Sequence, residues 1–407
     1  MKNECTFLDA ASNTSLDKNV FNAMSPYLNN KFVGNSRSIH DYGIKALSAI
    51  EEVREKISLI FGVLERDIIF TSGATEGNNT VIKGLAFKEM SSGKPKKNQK
   101  RHIVCGATEH ASVIKPCQQL EKLGFKVTYV KPNKDGKIDF EDIKEAIKAD
   151  TLLLCLMAVN NELGTINCVD QATTYAKTLG VYSLVDCTQL LSYGGENVGL
   201  RFAFPNASFF TFSGHKIYGP AGVGCLVGNN DSIKSLYGCG LIVGGAQEYG
   251  VRGGTSNVAG IVGIGEAILS IEKTKLKDFY EDLFNYMMQR LDEEFGNLYY
   301  LNAIPDHKNI ISLNFSKYLS CESLAADLAL RGVGVSAGSA CDSDHDETEG
   351  AFNPSHVLLS LGLSEREIRN TIRVSFCKNT TKKDIDFMIE QLKDIKNTQD
   401  MLTGEDL

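Results

Sequence analysis

The chain lacks any apolar run approaching the ~18 residues that a membrane-spanning helix needs. Its opening stretch, MKNECTFLDAASNT, lacks the apolar core of a secretory signal. The expectation is a cytoplasmic protein that meets no membrane. An excess of positive charge is missing too. Lys and Arg number 43 against 50 Asp and Glu, a net charge of −7. Without a long basic stripe the chain is a poor candidate for direct nucleic-acid binding. The one basic stretch, 88–101 (KEMSSGKPKKNQKR), reads as a solvated surface loop. No CxxC pair exists, and no two of the 11 cysteines lie closer than twelve positions. That excludes zinc-ribbon and thioredoxin-like motifs. A disulfide framework is not expected in a chain large enough to build its own core. The plain expectation is a reducing compartment with mostly buried, inert thiols. No repeat and no long low-complexity tract is visible.

What is present is ordinary globular composition, 43% hydrophobic and 23% charged over 407 residues. At roughly 150 residues per domain, that length predicts two or three domains. From residue 101 strands and helices alternate. Strands are expected at 102–108, 125–130, 151–159, 181–186 and 207–212. Helices are expected at 112–123, 139–148 and 170–178. This alternation predicts an α/β fold with a mostly parallel sheet covered on both faces. Ligands bind such sheets beyond the carboxyl ends of the strands. After about residue 256 the texture changes. An amphipathic region (257–295) precedes a strand at 309–315, a helix from Glu322 and the small-residue run 332–340. A helix around 355–369, a strand at 371–376 and a final helix from about 381 complete it. This pattern predicts a second, smaller α+β domain.

Several segments carry chemistry. In FTFSGHKIYGPAGVG a strand runs into Ser213, Gly214, His215 and Lys216. A lysine at a strand end can lose its proton and form a Schiff base, with Ser213 and His215 offering donors to an anion beside it. In VDCTQ, Asp186 ends an apolar strand and needs a cationic partner. A pyridinium nitrogen would serve, as in pyridoxal phosphate enzymes, and Gln189 follows within reach. In FTSGATEGNNT, small residues open a helix. Gly73, Ala74 and Thr75 there could receive a phosphate. His110 follows a strand and could stack on an aromatic cofactor and exchange protons. Asn160 and Asn161 end another strand, where an amide could bond a phenolic oxygen.

Cys341 differs from the other thiols. It follows GVGVSAGSA and precedes an acidic stretch, a flexible and exposed context that suits a thiol kept for its reactivity. The spacing of Asp342, Asp344 and Asp346 invites a calcium-loop reading. It fails, because Glu347 stands where an EF-hand needs Gly and Asn353 where it needs Glu. No metal site is expected. Arg373, within TIRVSF, is suited to bidentate recognition of an amino-acid carboxylate.

Together these segments resemble the cysteine desulfurases of the NifS/IscS-like group, within the class V aminotransferases. TSGATEGNN, ATEHASV, AVNNELG, VDCTQ, FSGHKIYGPAGVG, RGGTSN, SAGSAC and TIRVSF carry the resemblance, in family order from about residue 8 to 376. It implies the fold-type I architecture of pyridoxal phosphate enzymes and a homodimer. The large domain (16–262) would hold a seven-stranded, mostly parallel sheet. Residues 263–407 would form the small domain carrying the cysteine loop, and 1–15 a segment packing with it. By motif position Lys216 would hold the cofactor as a Schiff base and Asp186 would pair with its pyridine nitrogen. Gln189 and Asn160 would contact the ring hydroxyl, and His110 would stack and transfer protons. Ala74, Thr75, Ser213 and His215 would hold the phosphate, with Thr255 reaching the phosphate of the other subunit. Arg373, helped by Asn35, would bind the carboxylate of L-cysteine. Cys341 would take the sulfur as a persulfide, release L-alanine and pass sulfur to an acceptor, such as an iron–sulfur scaffold protein. The opening DAASNTS and Gly34-Asn35-Ser36 depart from the family pattern near the substrate. Selenocysteine lyases and aminotransferases share the scaffold, and Cys341 favours the desulfurase.

Overall fold

The computed structural model describes residues 5–29, 34–195, 199, 203–229, 232–337 and 354–403. Strand β1 (Thr6–Phe7) precedes helices α1 (Lys18–Leu28) and α2 (Asp41–Phe61). Then β2 (Ile68–Thr71), α3 (Ala74–Met90), β3 (His102–Gly106), α4 (Ala111–Glu121), β4 (Lys126–Val130) and α5 (Phe140–Ala146) follow. β5 (Thr151–Cys155), α6 (Val169–Thr178), β6 (Tyr182–Asp186), β7 (Phe209–Ser213) and β8 (Gly224–Gly228) complete the alternation. The seven strands form one sheet in the order β2-β8-β7-β6-β5-β3-β4. Strands β4, β3, β5, β6 and β7 run parallel, and only β8 runs against its neighbours β7 and β2. The ends of β2, β3, β5, β6 and β7 therefore meet at one edge.

Both faces of the sheet are buried, because side chains alternate along each strand. On β7, Phe210 and Phe212 join one core while Phe209 joins the other. The first core is closed by Ile50, Val53, Ile57 and Phe61 of α2 and by Ile261, Ile264 and Ile268 of helix Val258–Glu272. A Cβ on Gly265 would stand 2.6 Å from Val53 Cγ1, so glycine is what lets these helices touch. The second core is closed by Val81 and Leu85 of α3 and Val113 and Leu120 of α4.

The smaller unit has a three-stranded antiparallel sheet, β9 (Tyr300–Leu301), β10 (Ile310–Asn314) and β12 (Thr371–Ser375), in the order β12-β10-β9. Helices Leu276–Phe295 and Lys382–Thr403 flank it. Its core is separate, with Leu283, Met287, Leu313, Val374 and Ile389 among its members. The opening segment is drawn into this unit. β1 pairs in parallel with β11 (Val333–Gly334), and Asp9 bridges to Ser375.

Some expected elements are shorter or divided. The strand read over 151–159 ends at Cys155. Beyond it the chain leaves the ladder, held by Met157 N–H on Glu109 Oε1 at 2.6 Å and Ala158 N–H on the carbonyl of Asp186 at 2.9 Å. The helix read around 355–369 is two short ones, His356–Ser360 and Glu365–Arg369. Gly362, at φ +83°, and the capping box of Ser364 with Glu367 stand between them. The region 257–295 is likewise two helices, Val258–Glu272 and Leu276–Phe295. A division at 262/263 would cut the first of these, whose residues up to Ile271 pack in the large-domain core. We place it after Glu272.

Candidate active site

The functional side chains follow directly on strand ends. Asp186 is the last residue of β6, and Ser213 the last of β7, with His215 and Lys216 in the turn beyond. Ala74 opens α3 two residues after β2. His110 caps α4 just after β3, its Nδ1 accepting the Ser112 N–H at 3.1 Å. These residues line one cavity of about 210 Å³, together with Thr75, Ser112, Met157, Val159, Asn161, Thr188 and Gln189. Arg373 of β12 and Ala11 and Ser12 of the opening segment close it from the other side.

Each polar group has a defined hold. Lys216 Nζ donates to the carbonyls of Ala11 at 2.7 Å and Ser12 at 2.5 Å. Gln189 Nε2 donates to the same Ala11 carbonyl at 3.0 Å. Asp186 accepts from Thr188 N–H at 2.9 Å and from Asn78 Nδ2 at 3.0 Å. Arg373 is almost wholly buried. Its Nη2 donates to Asp9 Oδ1 at 2.8 Å and Ser12 Oγ at 2.6 Å, and its Nη1 to the carbonyl of Asn161 at 3.0 Å. Ser213 Oγ accepts the Ala74 N–H at 2.8 Å and so ties β7 to the start of α3. Burial first, and the neighbouring Lys216 charge second, push His215 down from 6.5 to about 4, leaving it neutral at pH 7. Burial above all holds the Glu109 carboxyl well above the usual carboxylate range. Its Oε1 is the clamp on the Met157 N–H.

The pyridoxal phosphate expected here fits the residues present. Among the described residues, Asn161 Oδ1, Thr188 Oγ1 and Arg373 Nε are buried atoms of wall residues without a hydrogen-bond partner. Buried polar atoms are costly when unpaired, so such atoms on one cavity wall mark a polar occupant. The helix start at Ala74 has no side-chain cap from its own Gly73 and suits a phosphate.

Sequence reasoning placed some groups wrongly or missed them. Asn160 is not on the wall. It is fully buried, with Nδ2 on the carbonyl of Thr108 and Oδ1 accepting the N–H groups of Glu162 and Leu163, so it braces the turn. The neighbouring Asn161 faces the cavity instead. Asn35 and Thr255 are exposed and lie off the cavity wall, and Asn35 Oδ1 accepts the Arg37 N–H in a local turn. Cys341 lies outside the described residues. Ser12, Asp9, Thr188 and Asn78 were not singled out. Asn78 and Thr188 lie inside TSGATEGNN and VDCTQ, and Asp9 and Ser12 inside DAASNTS, but nothing local marks which residue of each segment supports the site.

The family described as Aminotransferase class-V matches residues 6–388, and the chain belongs to it. Among curated relatives, it is 38% identical to the cysteine desulfurase IscS of Dictyoglomus turgidum over 399 residues, covering 97% of this chain and 95% of that protein. It is 35% identical to the cysteine desulfurase IscS of Rickettsia prowazekii over 386 residues, covering 94% and 89%. Among solved structures, "SspA in complex with cysteine" is 32% identical with a TM-score of 0.75, covering 92% of this chain and all of that one.

Proposed function

We infer that this chain is a pyridoxal phosphate-dependent cysteine desulfurase. The observation that carries the reading is the convergence of Lys216, Asp186, His110 and Arg373 on one cavity, where Asn161 Oδ1, Thr188 Oγ1 and Arg373 Nε lack a partner among the described residues. Near full-length similarity to cysteine desulfurases supports it.

When bound, the cofactor supplies an electron sink for the amino acid it carries. Lys216 would be its covalent anchor. Asp186 would accept the pyridine N–H, with Gln189 and Asn161 placed for the ring hydroxyl. Ala74, Thr75, Ser213 and His215 would hold the phosphate, and Thr255 would serve the site of a partner subunit. His110 would stack on the ring and move a proton at its Nε2. Arg373 would take the substrate carboxylate, with Ser12 and Asp9 fixing its orientation. Cys341 would receive the sulfur. A thiol and L-cysteine give a persulfide and L-alanine, a balanced exchange that needs no added oxidant.

A homodimer fits the exposed apolar side chains Ile39, Tyr42, Ile44 and Leu47 at the start of α2. The acceptor would be a protein that takes sulfur for iron–sulfur or other thio-cofactor synthesis, with Asp342, Asp344 and Asp346 favouring a basic surface on it. No helix among the described residues is long and apolar enough to cross a membrane, and the described cysteines are free. The test is L-alanine release from L-cysteine by protein loaded with pyridoxal phosphate. Release that vanishes in Cys341→Ala is expected. Release that survives would keep a lyase and remove Cys341 from its role.

A further inference from the structure

We propose that Asn78 is a positioning residue that sets two cavity groups at once. It holds Asp186 as an acceptor toward the cavity, and through Ser112 it fixes His110 with its ring proton on Nε2. The Asp186 half rests on the cofactor reading above; the His110 half stands without it.

Asn78 lies in the second turn of α3 and is fully buried. Its Nδ2 stands 3.0 Å from Asp186 Oδ2 and 2.9 Å from Ser112 Oγ. Its Oδ1 receives the Thr211 hydroxyl at 2.5 Å. An ionised carboxylate only accepts, so the amide nitrogen faces Asp186 and the orientation of the amide is fixed. Asp186 Oδ1 meanwhile takes the Thr188 N–H at 2.9 Å. Each carboxylate oxygen thus meets a neutral protein donor, and no protein cation in these bonds competes for the charge that a pyridine N–H would use.

The second amide hydrogen acts through Ser112. A serine hydroxyl has one proton. Because its Oγ accepts from Asn78, that proton turns to His110 Nδ1 at 2.8 Å. The Ser112 backbone N–H reaches the same nitrogen at 3.1 Å. With two donors aimed at Nδ1, the neutral ring carries its proton on Nε2. The depth of Asn78 is set by its neighbour. A Cβ on Gly77 would stand 2.7 Å from Thr211 Cγ2, so glycine lets α3 approach β7 closely enough to close this network.

The test uses Asn78→Asp, which keeps the shape, and Ser112→Ala, which cuts only the histidine branch. ¹⁵N-histidine spectra without cofactor, with His110 identified by the signal lost in His110→Gln, should show Nδ1 unprotonated and Nε2 protonated in the parent protein. Both variants should shift the Nδ1 signal. After loading with pyridoxal phosphate, Asn78→Asp should also alter the absorbance of the bound cofactor. Its kcat should fall on the order of 10- to 100-fold, the scale seen when an orienting partner is lost, with KM little changed. An Nδ1-protonated ring in the parent, or both variants showing the parent's nitrogen shifts, overturns the His110 role. Unchanged absorbance and kcat in loaded Asn78→Asp overturns the Asp186 role. A parent protein that takes up no pyridoxal phosphate defeats the functional reading and the Asp186 role with it, while the nitrogen spectra still decide the histidine role.

Discussion

The two sides of the cavity are built differently. On the sheet side Asp186, Ser213 and His110 sit at or just after strand ends, and buried neighbours such as Asn78 and Thr188 hold them. On the other side a strap of Asp9, Ala11 and Ser12 meets Arg373 of the small domain, a contact between residues 364 positions apart. The sheet side exists once the sheet forms. The strap side exists only when the small domain docks on the opening segment. On the proposed reading, cofactor chemistry is thus separated from substrate recognition, and the two sides meet where Ser12 touches both Lys216 and Arg373.

The largest effect should come from the sheet side. Lys216→Ala should lower kcat for L-alanine release by about 10⁴-fold or more, the scale of losing a covalent group; steady-state kinetics checks it. On the strap side, Arg373→Ala should raise KM for L-cysteine by about 10- to 100-fold, as expected for charged hydrogen bonds worth about 1.5–3 kcal/mol, with a smaller change in kcat. Equal losses in kcat for both variants would erase the distinction between the sides.

The junction between the units offers a pH test. His307 is buried and stacks on Tyr193 with ring centroids 3.6 Å apart, and Asn309 donates to Ser192 beside it. Burial pushes His307 down from 6.5 to about 3. The unfolded chain therefore takes up the proton first. The neutral ring's stabilisation is complete above pH 6.5 and is lost as pH falls toward about 3, by a few kcal/mol at about 1.4 kcal/mol per pH unit. Chemical denaturation between pH 7 and 4 should show this loss, and His307→Gln should flatten it. The smallest effect is expected for Ser12→Ala. It removes one bond to Arg373 and should raise KM a few-fold, consistent with about 0.5–1.5 kcal/mol for a single hydrogen bond.

The same contrast governs what the sequence reveals. Strand ends followed by Asp186, His110 or Lys216 are local patterns, and alternating strands and helices foretold the sheet that presents them. Asn160 and Asn161 are both amides at one strand end. Which one faces the cavity depends on how the chain turns after Cys155, and that turn is set by Glu109, 48 positions away from Met157. Asp9 and Ser12 acquire meaning only through Arg373, far along the chain. The division we place after Glu272 was hidden because no proline or glycine breaks the chain between helices Val258–Glu272 and Leu276–Phe295, yet the first packs on α1 and α2.

The central claim is that Lys216 anchors the cofactor in this cavity. Borohydride reduction of the pyridoxal phosphate-loaded protein, followed by mass mapping of the labelled peptide, tests it most directly. The account predicts a single pyridoxyl label on Lys216. A label on another lysine, or none, would contradict it.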